Sequence, residues 1–324
     1  MNVLEHLLRL ELRNGIKCLL AFFGLKHRKG RLYFHQRVLP RIEANIAGFK
    51  LSMDVEHSLP ELMEEYPLYS TNIPSLAKAV KGKYPDACLI DIGANIGDSI
   101  ALTRSVVELP VLAIEGSPYY FSFLTENVIQ FPGVICVNLF LDEEVKLIDA
   151  RAVKDGGSLQ LHPENNANVK VQVSTLDSLL DTNPAFKNAK FLKIDTDGFD
   201  FKVLRGARNL LRGSTPVLFI EYDASYLMNN GENAIVELFK LSAFGYDEAL
   251  YYDNFGRLLI SLPLNQELQH RQLLGYIDGR HGTFPYFDLV IFAKKDHDLA
   301  TRFIASEMLR LAEFDRDSRS RQKS

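Results

Sequence analysis

Between Asp86 and Asp223 the chain alternates short apolar runs with stretches of helical spacing, and this alternation restricts the fold more than any other feature. The runs "ACLIDIG", "VLAIEGS", "GVICVNLFL", "AKFLKIDTDG" and "TPVLFIEYD" read as five strands. The segments "GDSIALTRSVV", "PYYFSFLTENVIQF" and "FDFKVLRGARNLL" read as helices between them, the second with Pro118 at its start. Strands joined through helices of this length make a parallel sheet with helices on both faces.

The regions on either side differ. "VKLIDARAV", "SLQLH" and "VKVQVSTL" are short strand patterns broken by Gly156-Gly157 and an Asn-rich turn, an inserted hairpin at about 143–175. "YDEALYYDNFGRLLIS" and "YFDLVIFAKK" are strand-like without a clear helix between them, so the sheet ends in an antiparallel C-terminal edge. "HDLATRFIASEMLRLAEF" is a closing amphipathic helix, and 315–324 a polar tail of mixed charge expected to be disordered. Residues 1–85 read as a mainly helical accessory or lid region, with 61–82 helical in pieces interrupted at Pro67 and Pro74. The expected organisation is therefore an accessory region at 1–85, a catalytic α/β domain at 86–314 and a short tail.

Ligands of an open parallel sheet bind beyond the carboxyl ends of its strands. There the first strand runs into "LIDIGANIGDS", a turn with Gly93 and Gly97 that lets a ligand approach bare backbone. The spacing G-x-x-x-G is neither the dinucleotide fingerprint nor a phosphate loop, because no G-x-G-x-x-G and no Gly-Lys-Ser/Thr is present. An acid, Asp91, stands where phosphate would be repelled. Glu115 ends the second strand, placed to accept hydrogen bonds from two ribose hydroxyls. A nucleoside cofactor with a cationic group suits this pair, and S-adenosylmethionine has both parts.

"LIDIGANIGDS", "AIEGSP", "VSTLD" and "LKIDTDGFDFKVLRGA" together resemble the FkbM family of S-adenosylmethionine-dependent methyltransferases, over about residues 85–225. The resemblance implies a Rossmann-like class I methyltransferase fold. It implies that Asp91, Gly93, Ala94, Asn95, Gly97 and Asp98 form the cofactor loop, that Glu115 meets the ribose, and that Leu141 and Asp142 border the adenine. It also implies methylation of a hydroxyl oxygen on a small-molecule or saccharide acceptor. Many family members carry Glu at the two acidic positions after "KID", where this chain has Asp197 and Asp200.

An alcohol acceptor needs a base or a metal to take its proton as the new bond forms. Asp195, Asp197, Asp200, Glu221 and Asp223 cluster at the ends of the fourth and fifth strands. Asp195 is expected near the methionine end of the cofactor, with Asp197 or Glu221 facing the acceptor as the base. Asp197 and Asp200 are also suited to capping the following helix. The five carboxylates would equally suit a divalent cation such as magnesium, although no residue is assigned as a metal ligand. His57, in the region expected to cover the site, is a further acid/base candidate, and His281 a lesser one.

Charge bears on partners. Residues 1–50 carry ten Lys/Arg against three Asp/Glu, while the whole chain has net charge −4, so the catalytic region is acidic. That argues against a nucleic-acid backbone as partner, and no nucleic acid is expected. The basic N-terminal stripe (Val3, Leu4, Leu7, Leu8 and onward) reads as a packing face, with peripheral membrane contact as the lesser alternative. Three scattered cysteines suggest a reducing compartment, and "IKCLLAFFGL" is too short to span a bilayer, so a cytoplasmic location is expected. Two other readings fit the same fold: a nicotinamide-dependent oxidoreductase, disfavoured by the missing fingerprint, and a catalytically inactive cofactor-binding scaffold protein.

Overall fold

The eight-stranded sheet at the centre of the protein is parallel over five strands and antiparallel over three. The computed structural model describes residues 25–28, 31–34, 40–155, 158–163, 169–223, 233–277 and 286–321. Contacts divide the chain into two compact units, residues 1–42 with 54–56, and residues 43–53 with 57–324. In the first, β1 (Leu25–Arg28) and β2 (Arg31–Phe34) form an antiparallel hairpin. The eight-stranded sheet lies wholly in the second. Residues 57–83 belong to this second unit.

In chain order come β3 (Arg41–Ile46) and β4 (Phe49–Asp54), of which residues 43–53 belong to the larger unit, then its helices α1 (Leu59–Glu65) and α2 (Asn72–Lys83). The parallel strands follow: β5 (Leu89–Ile92), α3 (Asp98–Arg104), β6 (Val111–Glu115), α4 (Pro118–Asn127) and β7 (Val134–Asn138). A second, four-stranded sheet comes next, from β8 (Phe140–Leu141), β9 (Lys146–Asp155), β10 (Ser158–Pro163) and β11 (Val169–Ser174), in the order β10-β9-β11-β8. The chain returns through α5 (Leu176–Thr182), β12 (Phe191–Ile194), α6 (Asp200–Arg205), α7 (Arg208–Gly213) and β13 (Val217–Asp223). It ends with α8 (Ala234–Lys240), β14 (Tyr246–Asp253), β15 (Leu258–Pro263), α9 (Glu267–Tyr276), β16 (Tyr286–Ala293) and α10 (His297–Arg321).

The strand order is β15-β14-β16-β13-β12-β5-β6-β7. The chain moves outward one way from β5 to β7 and the other way from β12 to β13, so the switch point lies between β5 and β12. The last strand, β16, is inserted antiparallel between β13 and β14. This is the Rossmann-like class I methyltransferase arrangement, with β15 added at the antiparallel edge.

Alternation of side chains sorts the sheet residues. Ile90, Ile92, Leu112, Ile114, Leu192, Ile194, Leu218 and Ile220 point to one face and pack with Leu176, Leu179, Leu204, Leu211 and Leu238 of the helices there. Each such buried aliphatic side chain contributes ~1.5–3 kcal/mol. On the opposite face Asp91 and Lys193 are directly paired across strands, and α2, α3 and α10 pack together over that side. The polar residues of the chain's chemistry sit on this second face.

Several local expectations are corrected. Pro74 does not interrupt α2, because it occupies the third helical residue, where the backbone N–H would have no intrahelical acceptor. The helix expected over 199–211 is two helices: a Cβ on Gly206 would lie 2.4 Å from the Asp142 carbonyl oxygen, and the backbone jogs at this close approach. A helix, α9, lies between the last strands where none was expected. The N-terminal region adds two hairpins to the expected helices. Finally, α10 runs through Arg321 into the tail expected to be disordered, with Arg257 binding Asp315 through both carboxylate oxygens (3.0 and 2.6 Å). The basic stripe of residues 1–24, His281 and residues 322–324 lie outside the described residues.

Candidate active site

A cleft of about 490 Å³ opens at the carboxyl ends of β5, β6, β12 and β13, on the switch point. Its first wall is the turn after β5. Gly93 has φ +74°, and a Cβ there would stand 1.7 Å from the Asp195 carbonyl oxygen, so only glycine lets the β5 and β12 ends approach this closely. The turn is fastened to β6 by Gly93 and Ala94 N–H groups donating to the Ile114 carbonyl (2.9 and 3.0 Å). Asn95 then takes φ +47°, and Gly97, at φ +89°, starts α3. Asn127 of α4 braces the turn from outside by donating to the carbonyls of Ile96 and Ser52 (both 2.8 Å).

Glu115 closes the β6 side. Its two oxygens accept from the backbone N–H groups of Asn95 (2.9 Å) and Ser117 (2.7 Å). Burial pushes its pKa up to about 7, against those two hydrogen bonds and the Lys193 charge, which lower it. Leu139, Phe140, Leu141 and Val173 give this end an apolar lining, and the Phe140 ring lies over Gly116, where a Cβ would meet it at 2.1 Å.

The floor is ionic. Lys193, 4% exposed, stands 3.3 Å from Asp91 Oδ1 and 3.1 Å from Asp195 Oδ2. Burial works against its charge, but Asp195, Asp91 and Asp98 outweigh it and hold the ammonium protonated beyond its ordinary range. Asp91 is fully buried, accepts from the Ser99 hydroxyl, and does not line the cleft. This corrects its expected place against the cofactor: its carboxylate anchors Lys193 and α3 instead. Asp98 does line the cleft, its pKa raised first by burial, with Lys193 and His57 opposing.

The far end is acidic. Asp195, Asp197, Glu221, Asp223 and Asp288 line it with Tyr69 and Tyr286. Glu221 is pushed well above the usual carboxylate range by burial and by Asp195, Asp197, Asp200 and Asp288. Asp197 adopts φ +50° in the turn after β12. Asp200 does not face the cleft; it holds that turn by accepting from Thr196 and Gly198 N–H (both 3.1 Å). His57 also borders the cleft, but Nδ1 accepts from Leu59 N–H (3.3 Å) and Nε2 faces Asn95 Oδ1 (3.4 Å). His57 thus stands beside Asn95 at the cleft's rim. Asp142 likewise faces Lys146 (3.2 Å) and the backbone of Glu143, not the cleft; Leu141 does face it. Ala94 and Gly97 shape the turn from behind. Among the described residues no group of three or more His, Cys, Asp or Glu is arranged to hold a metal ion.

Sequence reasoning missed Lys193, Tyr69, Tyr286 and Asp288 as cleft residues. Tyr286 and Asp288 had a usable signal, since they alternate with Phe287 and Leu289 in an otherwise apolar strand. Tyr69 had none, lying in a connection between two short helices.

The fold is of the class I methyltransferase architecture. Residues 91–248 match the methyltransferase FkbM domain family. No curated protein matches the chain. Among solved structures it is similar to the methyltransferase FkbM from Methylobacillus flagellatus KT (19% identity, TM-score 0.36), over 51% of this chain and 40% of that one. It is similar to M. jannaschii TYW2 in complex with AdoMet (14% identity, TM-score 0.38, covering 81% and 89%). It is also similar to the precorrin-6y C5,15-methyltransferase from Geobacter metallireducens GS-15 (13% identity, TM-score 0.34, covering 64% and 81%).

Proposed function

We propose that the cleft binds S-adenosylmethionine and that the protein transfers its methyl group to a hydroxyl oxygen of a small-molecule or saccharide acceptor. The observation that carries this reading is one cleft with Glu115 at its apolar end and Glu221 at its acidic end, joined past the bare backbone of Gly93. The residues fit the cofactor. Each Glu115 oxygen accepts one backbone N–H and retains a lone pair for a ribose hydroxyl. The apolar surface of Leu139, Phe140 and Leu141 suits a purine, and Asp98 and Asp195 suit an ammonium group.

When bound, the sulfonium supplies a methyl carbon already activated for in-line displacement. The chain's task is then to orient the acceptor and take one proton, and orientation alone can supply ~7–11 kcal/mol of a barrier. Glu221 takes the hydroxyl proton on a carboxylate oxygen, its raised pKa making it a stronger base than an ordinary glutamate. Asp197, on the turn beside it, is the alternative base. Lys193 holds Asp195 in place. The acidic lining favours a neutral or cationic acceptor over a phosphate backbone, so nucleic acid is not the proposed partner. Among the described residues no helix is long and apolar enough to cross a membrane; a cytoplasmic location remains part of the proposal, resting on the scattered cysteines.

The test is transfer of labelled methyl from S-adenosylmethionine to a panel of saccharides and alcohols, with the product bond identified. Glu221→Gln and Asp197→Asn are expected to retain S-adenosylhomocysteine binding, and loss of the true base slows transfer ~10²–10⁴-fold. Undiminished transfer in both variants, or label found on nitrogen or carbon alone, sinks the hydroxyl reading.

A further inference from the structure

We infer that Glu221 and Asp288 act as one proton-holding carboxyl pair, in which Asp288 is a positioning residue that keeps a proton beside the base. The inference takes Glu221 as the base proposed above. Its ground is geometric: in the antiparallel register of β13 and β16, Glu221 stands directly opposite Asp288, and both line the cleft. Directly opposed residues share one face of the sheet with Cβ atoms ~4.5–5.5 Å apart, and like charges so placed repel.

The surroundings decide how that repulsion is relieved. From β12, Asp195 faces the pair, but its charge is matched by Lys193 at 3.1 Å. Asp197 and Asp200, from the turn after β12 and the start of α6, add negative charge around Glu221. Tyr252, opposite Asp288 on β14, donates to Glu307 of α10, and Asp253 beside it adds a further negative charge. Tyr69 and Tyr286 face the pair with neutral phenols whose ionisation burial suppresses. From α2, the uncharged Asn72 side chain faces Asp288 and works against the rise of its pKa. Lys193 lends Asp288 some positive charge, but it is already shared by two other carboxylates. Burial and Asp195 push Asp288 up to about 8, and Glu221 is raised as well. Two opposed carboxyls without a dedicated cation hold one proton between them. The other stays ionised to take the acceptor's hydroxyl proton, and after transfer the pair returns one proton to solvent.

The signature is a proton count that needs no acceptor. Between about pH 4, where unfolded carboxyls ionise, and about pH 8, the folded pair keeps a proton that the unfolded chain has lost, so stability falls as pH rises. We would measure thermal unfolding from pH 5 to 9 for the parent, Asp288→Asn, Glu221→Gln and the double variant. The inference expects each single variant to remove about one proton from the pH slope, and the double variant to remove no more. A variant that shifts the melting temperature equally at every pH, leaving the slope unchanged, overturns it. Should Asp288→Asn not fold, the pH slope of Glu221→Gln alone separates these two outcomes. S-adenosylhomocysteine titration of the parent protein tests the cofactor reading separately, so failure of one does not imply failure of the other.

Discussion

Replacing Gly93 by alanine tests the link between chain geometry and site most sharply. The new Cβ would stand 1.7 Å from the Asp195 carbonyl oxygen and 2.8 Å from its carbon, and φ is +74°. A non-glycine residue in the left-handed region costs ~1–2 kcal/mol. Forcing a methyl group into packed backbone costs ~1–3 kcal/mol more, because here the obstacle is main chain and no side chain can turn aside. The sum is about 2–5 kcal/mol. For 324 residues the unfolding entropy is ~680 cal/mol/K, so each kcal/mol lowers the melting temperature by ~1.5 °C and the variant melts ~3–7 °C below the parent. Gly82→Ala is the internal control: it lies in α2 with no atom within 4 Å of its Cβ position and should gain ~0.5–1 kcal/mol. Differential scanning calorimetry reads both, and S-adenosylhomocysteine titration reads the site. Since Asp195 must move to admit the methyl group, affinity should fall at least ~10-fold. A Gly93→Ala protein that melts with the parent and binds as tightly refutes the close approach of β5 and β12.

Other outcomes follow from the same geometry. Lys193→Met should cost ~3–5 kcal/mol by leaving the fully buried Asp91 without its cation, and Asp91→Asn in the same chain should recover part of that loss; equal stability of Lys193→Met and parent would contradict the ionic floor. The carboxyl of Glu115, raised to about 7, must be ionised to accept from ribose as well as from two amides, so S-adenosylhomocysteine should bind ~10-fold more weakly at pH 6 than at pH 8. The sign for stability is opposite: a raised acid holds its proton in the folded state, so Glu115 makes folding less favourable as pH rises from about 4 to 7. Gly256→Ala, at φ +86° with its Cβ 2.0 Å from the Leu68 carbonyl oxygen, should push the 66–71 segment off its seat. Hydrogen exchange should then accelerate there while β5 and β12 stay protected.

The parallel core was legible because each of its strands is a compact apolar run ending in a polar or glycine-bearing turn, as "LIDIG" and "LKIDTDG" show. The glycine turn and Glu115 were legible for the same reason, since position at a strand end already implies proximity to the switch point. What was not legible depends on pairing between distant segments. Asp91 reads as a site acid until its cross-strand partner is known to be Lys193, which draws the carboxylate into the floor. Asp288 stands out by its alternation in an apolar strand, but its place against Glu221 shows only once β16 is seen to insert beside β13. The break between α6 and α7 escaped because Gly206 answers to a carbonyl at Asp142, far away in sequence.

The central claim is that the cleft holds S-adenosylmethionine with its ribose on Glu115. Calorimetric titration of the full chain with S-adenosylhomocysteine, in parallel with NAD and repeated on Glu115→Ala, tests it most directly. The account predicts saturable binding of the thioether alone at pH 8, weakened at least ~10-fold in Glu115→Ala, the cost of ~1.4 kcal/mol or more for a lost charge-assisted hydrogen bond. Binding of NAD in its place, no binding of either, or a Glu115→Ala protein that binds as the parent does would contradict it.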